Sequence, residues 1–210
     1  MAIITDIEPQ KKRKNRVNIY IDGVFYCGMD ALTVAENRFK IGSEVSEEEL
    51  SNAQKESETA RAFEQSVKWI TRRLRTKKEI REYLRAKGYI NEVISAVMQK
   101  LIEYGFADDY ELCRAFVAQY SVRDGKRKIE LELNRLGAEK DAIEEALSEL
   151  DGQEEACYGV AVKYARTHKK IDIWKLKQYL FAKGFSSDDI SVALDKIKEE
   201  YLCEGDDEQW

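Results

Sequence analysis

Residues 78–101 read KEIREYLRAKGYINEVISAVMQKL, a helix, a glycine turn and a second helix, and this pattern returns twice further along the chain. Aligning Gly88, Gly137 and Gly184 places Ile80, Ile129 or Leu176 eight residues before the glycine and Leu84, Leu133 or Leu180 four before it. Six after it comes Ile94, Ile143 or Ile190, followed by Met98, Leu147 or Leu194 and then Leu101, Leu150 or Ile197. All fifteen positions are apolar, at spacings that mark one face of a helix. A glycine leaving a helix in the left-handed conformation avoids a Cβ clash. The residue after it (Tyr89, Ala138 or Phe185) is placed to touch the leucine four before the glycine, as in a Schellman cap. Asn91 and Ser187 are the expected N-caps of the following helices, with Lys140 a weaker counterpart. One helix pair cannot bury its own stripe, so three units whose glycines lie 49 and 47 residues apart predict a tandem array.

Each unit gains a preceding helix. Phe63, Val67, Ile70 and Leu74 supply it in the first repeat. About Asp108 to Val122, with Leu112, Phe116 and Tyr120, supply it in the second. About Glu154 to His168, with Val160, Val162 and Tyr164, supply it in the third. Before the array, IITDI (3–7), RVNIYI (16–21) and VFYC (24–27) read as strands, the last two joined by the type I′ signal Asp22-Gly23. KKRKNR (11–16) reads as a basic hairpin loop, and Asp30 as the cap of a short helix, ALTVAENRF. Ser46 and Glu49 form a capping box that opens one long helix from about Glu47 to Arg73. Its acidic start, EEELSNAQKESE, reads as a connector rather than core. The expected fold is mainly α, three three-helix repeats behind a small β-rich N-terminal module. The expected boundaries are 1–45 for the β module, 46–60 for the connector, 61–106, 107–150 and 151–203 for the repeats, and 204–210 for an acidic tail.

With 43% hydrophobic and 36% charged residues and a single Pro, the 210-residue chain suits long solvated helices over a modest core. No apolar run approaches the ~18 residues of a membrane span, and no signal-peptide core opens the chain, so a cytoplasmic protein without membrane contact is expected. The formal charge of −5 conceals an asymmetry. Between Arg61 and Lys87 ten basic residues face only Glu64, Glu79 and Glu82, whereas from Asp195 onward seven acids face Lys196 and Lys198. Local field rather than net charge therefore governs which partners the chain attracts.

Catalytic signatures are missing: there is no P-loop, GxGxxG, GxSxG, HExxH or EF-hand pattern, and the carboxylates follow helix faces and caps. An enzyme, a cofactor and a metal are not expected. Cys27, Cys113, Cys157 and Cys203 form no CxxC and read as buried or incidental thiols. His168, the only histidine, sits near a helix end, where the dipole is a sufficient explanation. Trp69 and Trp174 read as packing residues and Asp108-Asp109 as a helix start.

Helix, glycine turn and helix also describe a DNA-reading motif, but here the second helices, EKDAIEEALSEL and SSDDISVALDKIKEE, would bring carboxylates to phosphate. The bases lie on and before the first helix of each pair. The candidate partner- or phosphate-binding surface is Arg72, Arg73, Arg75, Lys77, Lys78, Arg81 and Arg85, then Lys126, Arg127 and Lys128, with Arg135, Lys175 and Lys177 extending the trend. Such a stripe suits a phosphate backbone or an acidic protein filament, and equally suits solubilising charge.

The segments ARAFEQSVKWITRRLRTKKEIREYLRAKGY, EYGFADDYELCRAFV, LNRLGA and YLFAKGFSSDDISVAL together resemble the RecX family, bacterial regulators of the recombinase RecA. The resemblance runs from about Ala60 to Glu200. Its most specific parts are Gly105, Phe106, Asp108 and Asp109 in GFADD and Lys183, Gly184 and Phe185 in KGFSSDDI. It implies a curved array of three-helix repeats and, for function, a non-enzymatic monomer that binds the RecA nucleoprotein filament. Such a protein restrains filament assembly and modulates recombinase and coprotease activities, with DNA phosphate as a further contact. Family members are usually basic, whereas this chain is acidic overall. The rival expectation is an autonomous nucleic-acid-binding helical repeat protein.

Overall fold

In the computed structural model the described residues are 1–11, 13–150, 152–168 and 170–201, with no account of the Lys14 side chain. Cys203 and the acidic tail 204–210 lie outside them. The chain forms two compact units, Met1–Leu74 with Ile80–Ala107, and Arg75–Glu79 with the residues from Asp108 onward.

The first unit begins with an antiparallel sheet of order β3-β2-β1-β4, built from β1 (Ala2–Gln10), β2 (Arg13–Ile21), β3 (Val24–Asp30) and β4 (Glu44–Val45). Asp22 and Gly23 take φ of 49° and 81°, as a type I′ turn requires. The expected basic loop is corrected: Gln10 already pairs with Arg13, so most of KKRKNR is strand. Arg16 is buried there, its guanidinium donating to the Gly28 carbonyl at 2.5 Å and pairing with Asp30 at 3.3 Å. Asp30 precedes α1 (Ala31–Glu36) without capping it through its side chain. Its carboxylate takes Arg16 and the Ser57 hydroxyl instead, because satisfying a buried guanidinium outweighs capping a helix of under two turns.

α2 (Glu47–Ile70) opens with the Ser46–Glu49 capping box and stops three residues short of Arg73. Its first half is core, against the connector reading. Leu50 and Ala53 join Ile4, Ile19, Cys27 and Met29 under the sheet. The stripe is narrow and built of small residues, so it carries little hydropathy. The second half packs Ala62 and Ile70 against α3 (Lys77–Ala86) and α4 (Asn91–Glu103) through Ile80, Leu84, Val97 and Leu101. Leu74, expected on that stripe, is 46% exposed because the helix has already ended. Trp69 does pack, stacked 4.3 Å from Tyr83.

In the second unit, α5 (Asp109–Tyr120), α6 (Lys126–Leu136) and α7 (Lys140–Ser148) enclose Leu112, Cys113, Ile129, Leu133, Ile143 and Leu147. α8 (Glu154–Thr167), α9 (Ile173–Ala182) and α10 (Ser187–Tyr201) enclose Cys157, Ala161, Leu176, Leu180, Phe185 and Ile190. Of the aligned positions, all are buried except Leu150, which is half-buried.

Gly88, Gly137 and Gly184 have φ of 84°, 75° and 89°. Each turn makes the same two bonds. The glycine N–H donates to Arg85, Asn134 or Phe181, and the next N–H to Leu84, Leu133 or Leu180, as in a Schellman motif. The caps downstream are corrected. Asn91 is the first helical residue after Ile90, with no side-chain cap bond. Ser186, not Ser187, closes a reciprocal box with Asp189. Trp174 is 64% exposed rather than packed, since it lies opposite Leu176 and Leu180 on α9.

Candidate functional site

The ten cations of the expected surface fall into both units and meet different fates. In the first unit, Arg72 and Arg73 are exposed in the turn after α2. Arg81 and Arg85, one turn apart on α3, line an open groove of about 620 Å³ floored by Ile94 and Met98 and edged by Gln99 and Glu103.

In the second unit several bases are already committed. Arg75 pairs with Glu79 at 3.3 Å with both side chains largely buried, and Lys77 reaches Glu139 at 3.0 Å. Lys78 lies along the Gly137 turn, so that a Cβ at Gly137 would overlap its side chain. Lys128 donates to Asp124 at 2.8 Å, and Lys183 approaches the same carboxylate at 3.4 Å. Burial alone would raise the Asp124 pKa, but the Lys128 hydrogen bond and the Lys183 charge outweigh it and hold the carboxyl below its ordinary value. Lys126 and Arg127 are exposed, with the Arg127 guanidinium 5.4 Å from the Phe181 ring centroid. Charge was legible from sequence; its neutralisation by Glu139 and Asp124 was not.

The residues of the two family-specific segments serve as joints. Gly105, at φ 72°, ends α4, and Phe106 turns back to donate to Leu101 at 2.8 Å. Asp108 caps α5 through the N–H groups of Tyr110 and Glu111. Asp109 is fully buried and covers two other helix starts at once: one oxygen accepts the Lys77 N–H at 2.8 Å and the other the Glu139 N–H at 2.9 Å. A carboxylate between two helix N-termini is stabilised by both sets of unsatisfied donors and by both dipoles.

Gln153 does the corresponding work further on. Its side-chain oxygen accepts the Lys126 N–H at 2.6 Å, and its amide donates to Ser121 and Asp124 carbonyls. Beside it Gly125 donates to the Lys183 carbonyl at 2.8 Å and Arg127 to that of Gly184 at 3.3 Å. A Cβ on Gly125 would overlap the Gly184 backbone. Phe185 is buried just beyond. Sequence reasoning missed Gln153, Gly125 and Thr76. Thr76 was findable, because Thr76-Lys-Lys-Glu79 is a capping box, with the hydroxyl accepting the Glu79 N–H at 3.1 Å and also donating to Leu136.

The buried thiols of Cys27 and Cys113 are pushed up to about 11 and that of Cys157 to about 12, chiefly by burial, which suits core residues rather than nucleophiles. Among the described residues no group of His, Cys, Asp and Glu is arranged to hold a metal ion. No described helix is long and apolar enough to cross a membrane.

Comparison with known proteins accords with this arrangement. Residues 2–46 match the Regulatory protein RecX N-terminal domain, and residues 62–101 match RecX, first three-helix domain. A Regulatory protein RecX of Clostridium botulinum (strain Alaska E43 / Type E3) is 32% identical over 207 residues, covering 95% of this chain and 96% of the relative. That of Bacillus subtilis (strain 168) is 31% identical, covering 95% and 79%. A crystal structure of regulatory protein RecX superposes with a TM-score of 0.68 at 25% identity, over 93% of this chain and 100% of that one. RecX from Lactobacillus salivarius gives 0.61 at 25% identity, over 68% and 97%. The chain therefore belongs to the RecX family, a family of regulatory proteins and not of enzymes.

Proposed function

We propose that this protein is a negative modulator of RecA. It binds the RecA–DNA filament, restrains its assembly, and lowers recombinase and coprotease activity without chemistry of its own. The observation that carries this reading is family membership across nearly the whole chain. The partner surface in the first unit is the α3–α4 groove with Arg81 and Arg85, together with the exposed Arg72 and Arg73 in the turn after α2. Guanidinium groups over an apolar floor suit a carboxylate-bearing protein surface, where bidentate pairing adds specificity. In the second unit Lys126 and Arg127 remain exposed for an anionic contact, whereas Arg75, Lys77 and Lys128 serve the fold. The working unit is a monomer in the bacterial cytoplasm. The repeats 61–106, 107–150 and 151–203 act as successive contacts, with 1–45 and 46–60 as sheet module and helical support.

Charge reversal tests the surface. Arg72→Glu, Arg81→Glu and Arg85→Glu combined should abolish inhibition of RecA strand exchange while helicity and thermal midpoint stay within a few degrees of the parent. Full inhibition by the triple variant would remove this surface from the account. Inhibition that appears only near the concentration of DNA sites would indicate competition for DNA instead.

A further inference from the structure

Residues 202–210, LCEGDDEQW, lie outside the described residues and carry Glu204, Asp206, Asp207 and Glu208 with no base. They continue α10, and the packing of that helix fixes where they start. The Gln153 N–H donates to Asp189 at 3.1 Å, Glu155 pairs with Lys196 at 2.5 Å, and the Tyr158 hydroxyl donates to Glu200 at 2.6 Å. Both helices ascend together through these contacts, so α8 and α10 run parallel. α9 is joined to each by a short turn and runs the opposite way. Tyr201 therefore closes α10 at the end of the bundle where α9 opens, and it packs on the same core as Ile173.

Among the described helices α9 alone carries no acidic residue. Leu176 and Leu180 bury one side of it. The opposite side presents Trp174, Lys177 and Phe181 at i, i+3 and i+7, a single helical face. Trp174 is 64% and Phe181 54% exposed, about 10 Å apart along the axis at 1.5 Å per residue. The Arg127 guanidinium lies 5.4 Å from the Phe181 ring centroid. Among the described residues Arg127 and Lys177 make no ion pair. Rings alternating with cations match an extended segment whose acids lie between apolar residues, and Leu202 and Trp210 flank the four acids in that way. Reach is sufficient, since α9 is about 15 Å long and nine extended residues span about 30 Å. An exposed ion pair is weak alone, but a tether raises the local concentration of the segment to about the millimolar range. We propose that residues 202–210 fold back along α9, with acids on Lys177 and Arg127 and the Trp210 ring beside Phe181. The chain thereby covers its own cationic and aromatic face until a stronger anionic ligand displaces the segment. The contact lies within one chain and does not rest on the RecA reading.

The first test is acrylamide quenching of Trp174 as the sole tryptophan, in a full-length Trp69→Phe, Trp210→Phe background at low salt. Covering one face of the ring should halve quencher access, so neutralising the segment (Glu204→Gln, Asp206→Asn, Asp207→Asn, Glu208→Gln) should raise the quenching constant about twofold. About 0.5 M NaCl should bring the acidic form to the same value by screening. Circular dichroism and thermal midpoint should not change, because α9 keeps its buried side. The second test is binding of inorganic polyphosphate, with no other protein present. Neutralising the segment should tighten it about tenfold by removing a tethered competitor. In an Arg127→Gln, Lys177→Gln background the same neutralisation should give no gain. Equal quenching with and without the four acids at low salt would overturn the proposal. Protection of Trp174 that grows with protein concentration would also overturn it, giving the face to a second copy. A polyphosphate gain that survives loss of Arg127 and Lys177 would reduce the segment to a diffuse field and overturn it too.

Discussion

Asp109 accepts backbone N–H bonds at two helix starts, from Lys77, 32 residues before it, and from Glu139, 30 residues after it. Asp109→Ala leaves two part-buried N–H bonds without their acceptor and should cost about 2–4 kcal/mol in urea unfolding. Asp109→Asn keeps one acceptor oxygen and should cost roughly half as much. Asp108→Ala removes an exposed cap and should cost about 1 kcal/mol. Equal losses at 108 and 109 would contradict the joint. The Asp-Asp pair was legible as a helix start, but the role of its second member depends on partners no local pattern shows. Asp124 adds a pH signature. Its folded pKa lies below the ordinary 3.8, so its stabilisation is present above that value and fades as pH falls through the folded pKa. The stability gap between parent and Asp124→Asn should be constant from neutrality to about pH 5 and close below about pH 4. A gap that widened with acid would show the sign to be wrong.

At the level of elements, the three glycine turns were read correctly because a Schellman end is set by neighbours within six residues. The constraint on Gly125 was not legible. Its φ of −74° suits any residue, and what forbids a side chain is the Gly184 backbone of another helix end. The two kinds of glycine separate experimentally. Gly88→Ala meets open space and bears only the left-handed conformation, about 1 kcal/mol. Gly125→Ala forces two backbones apart and should cost more, about 2–3 kcal/mol by thermal unfolding. The reverse order would contradict the close approach. α2 teaches the same lesson from the other side. Polar composition at its start concealed Leu50, Ala53 and Ser57, three residues on one stripe that anchor it under the sheet.

At the scale of the molecule, repeat number, helix order and the β module were readable from periodicity, and family membership from the two motif segments. The charge pattern was readable only in part, since proteins of this composition use many of their bases internally, as Arg75, Lys77 and Lys128 do. A regulator of a filament controls many subunits through few bound copies, whereas a competitor for DNA must match its sites one for one. The most direct measurement is RecA ATPase on single-stranded DNA, titrated with this protein far below the RecA concentration. Activity should be lost at those low ratios, and undiminished activity up to stoichiometric amounts would contradict regulation at the level of the filament.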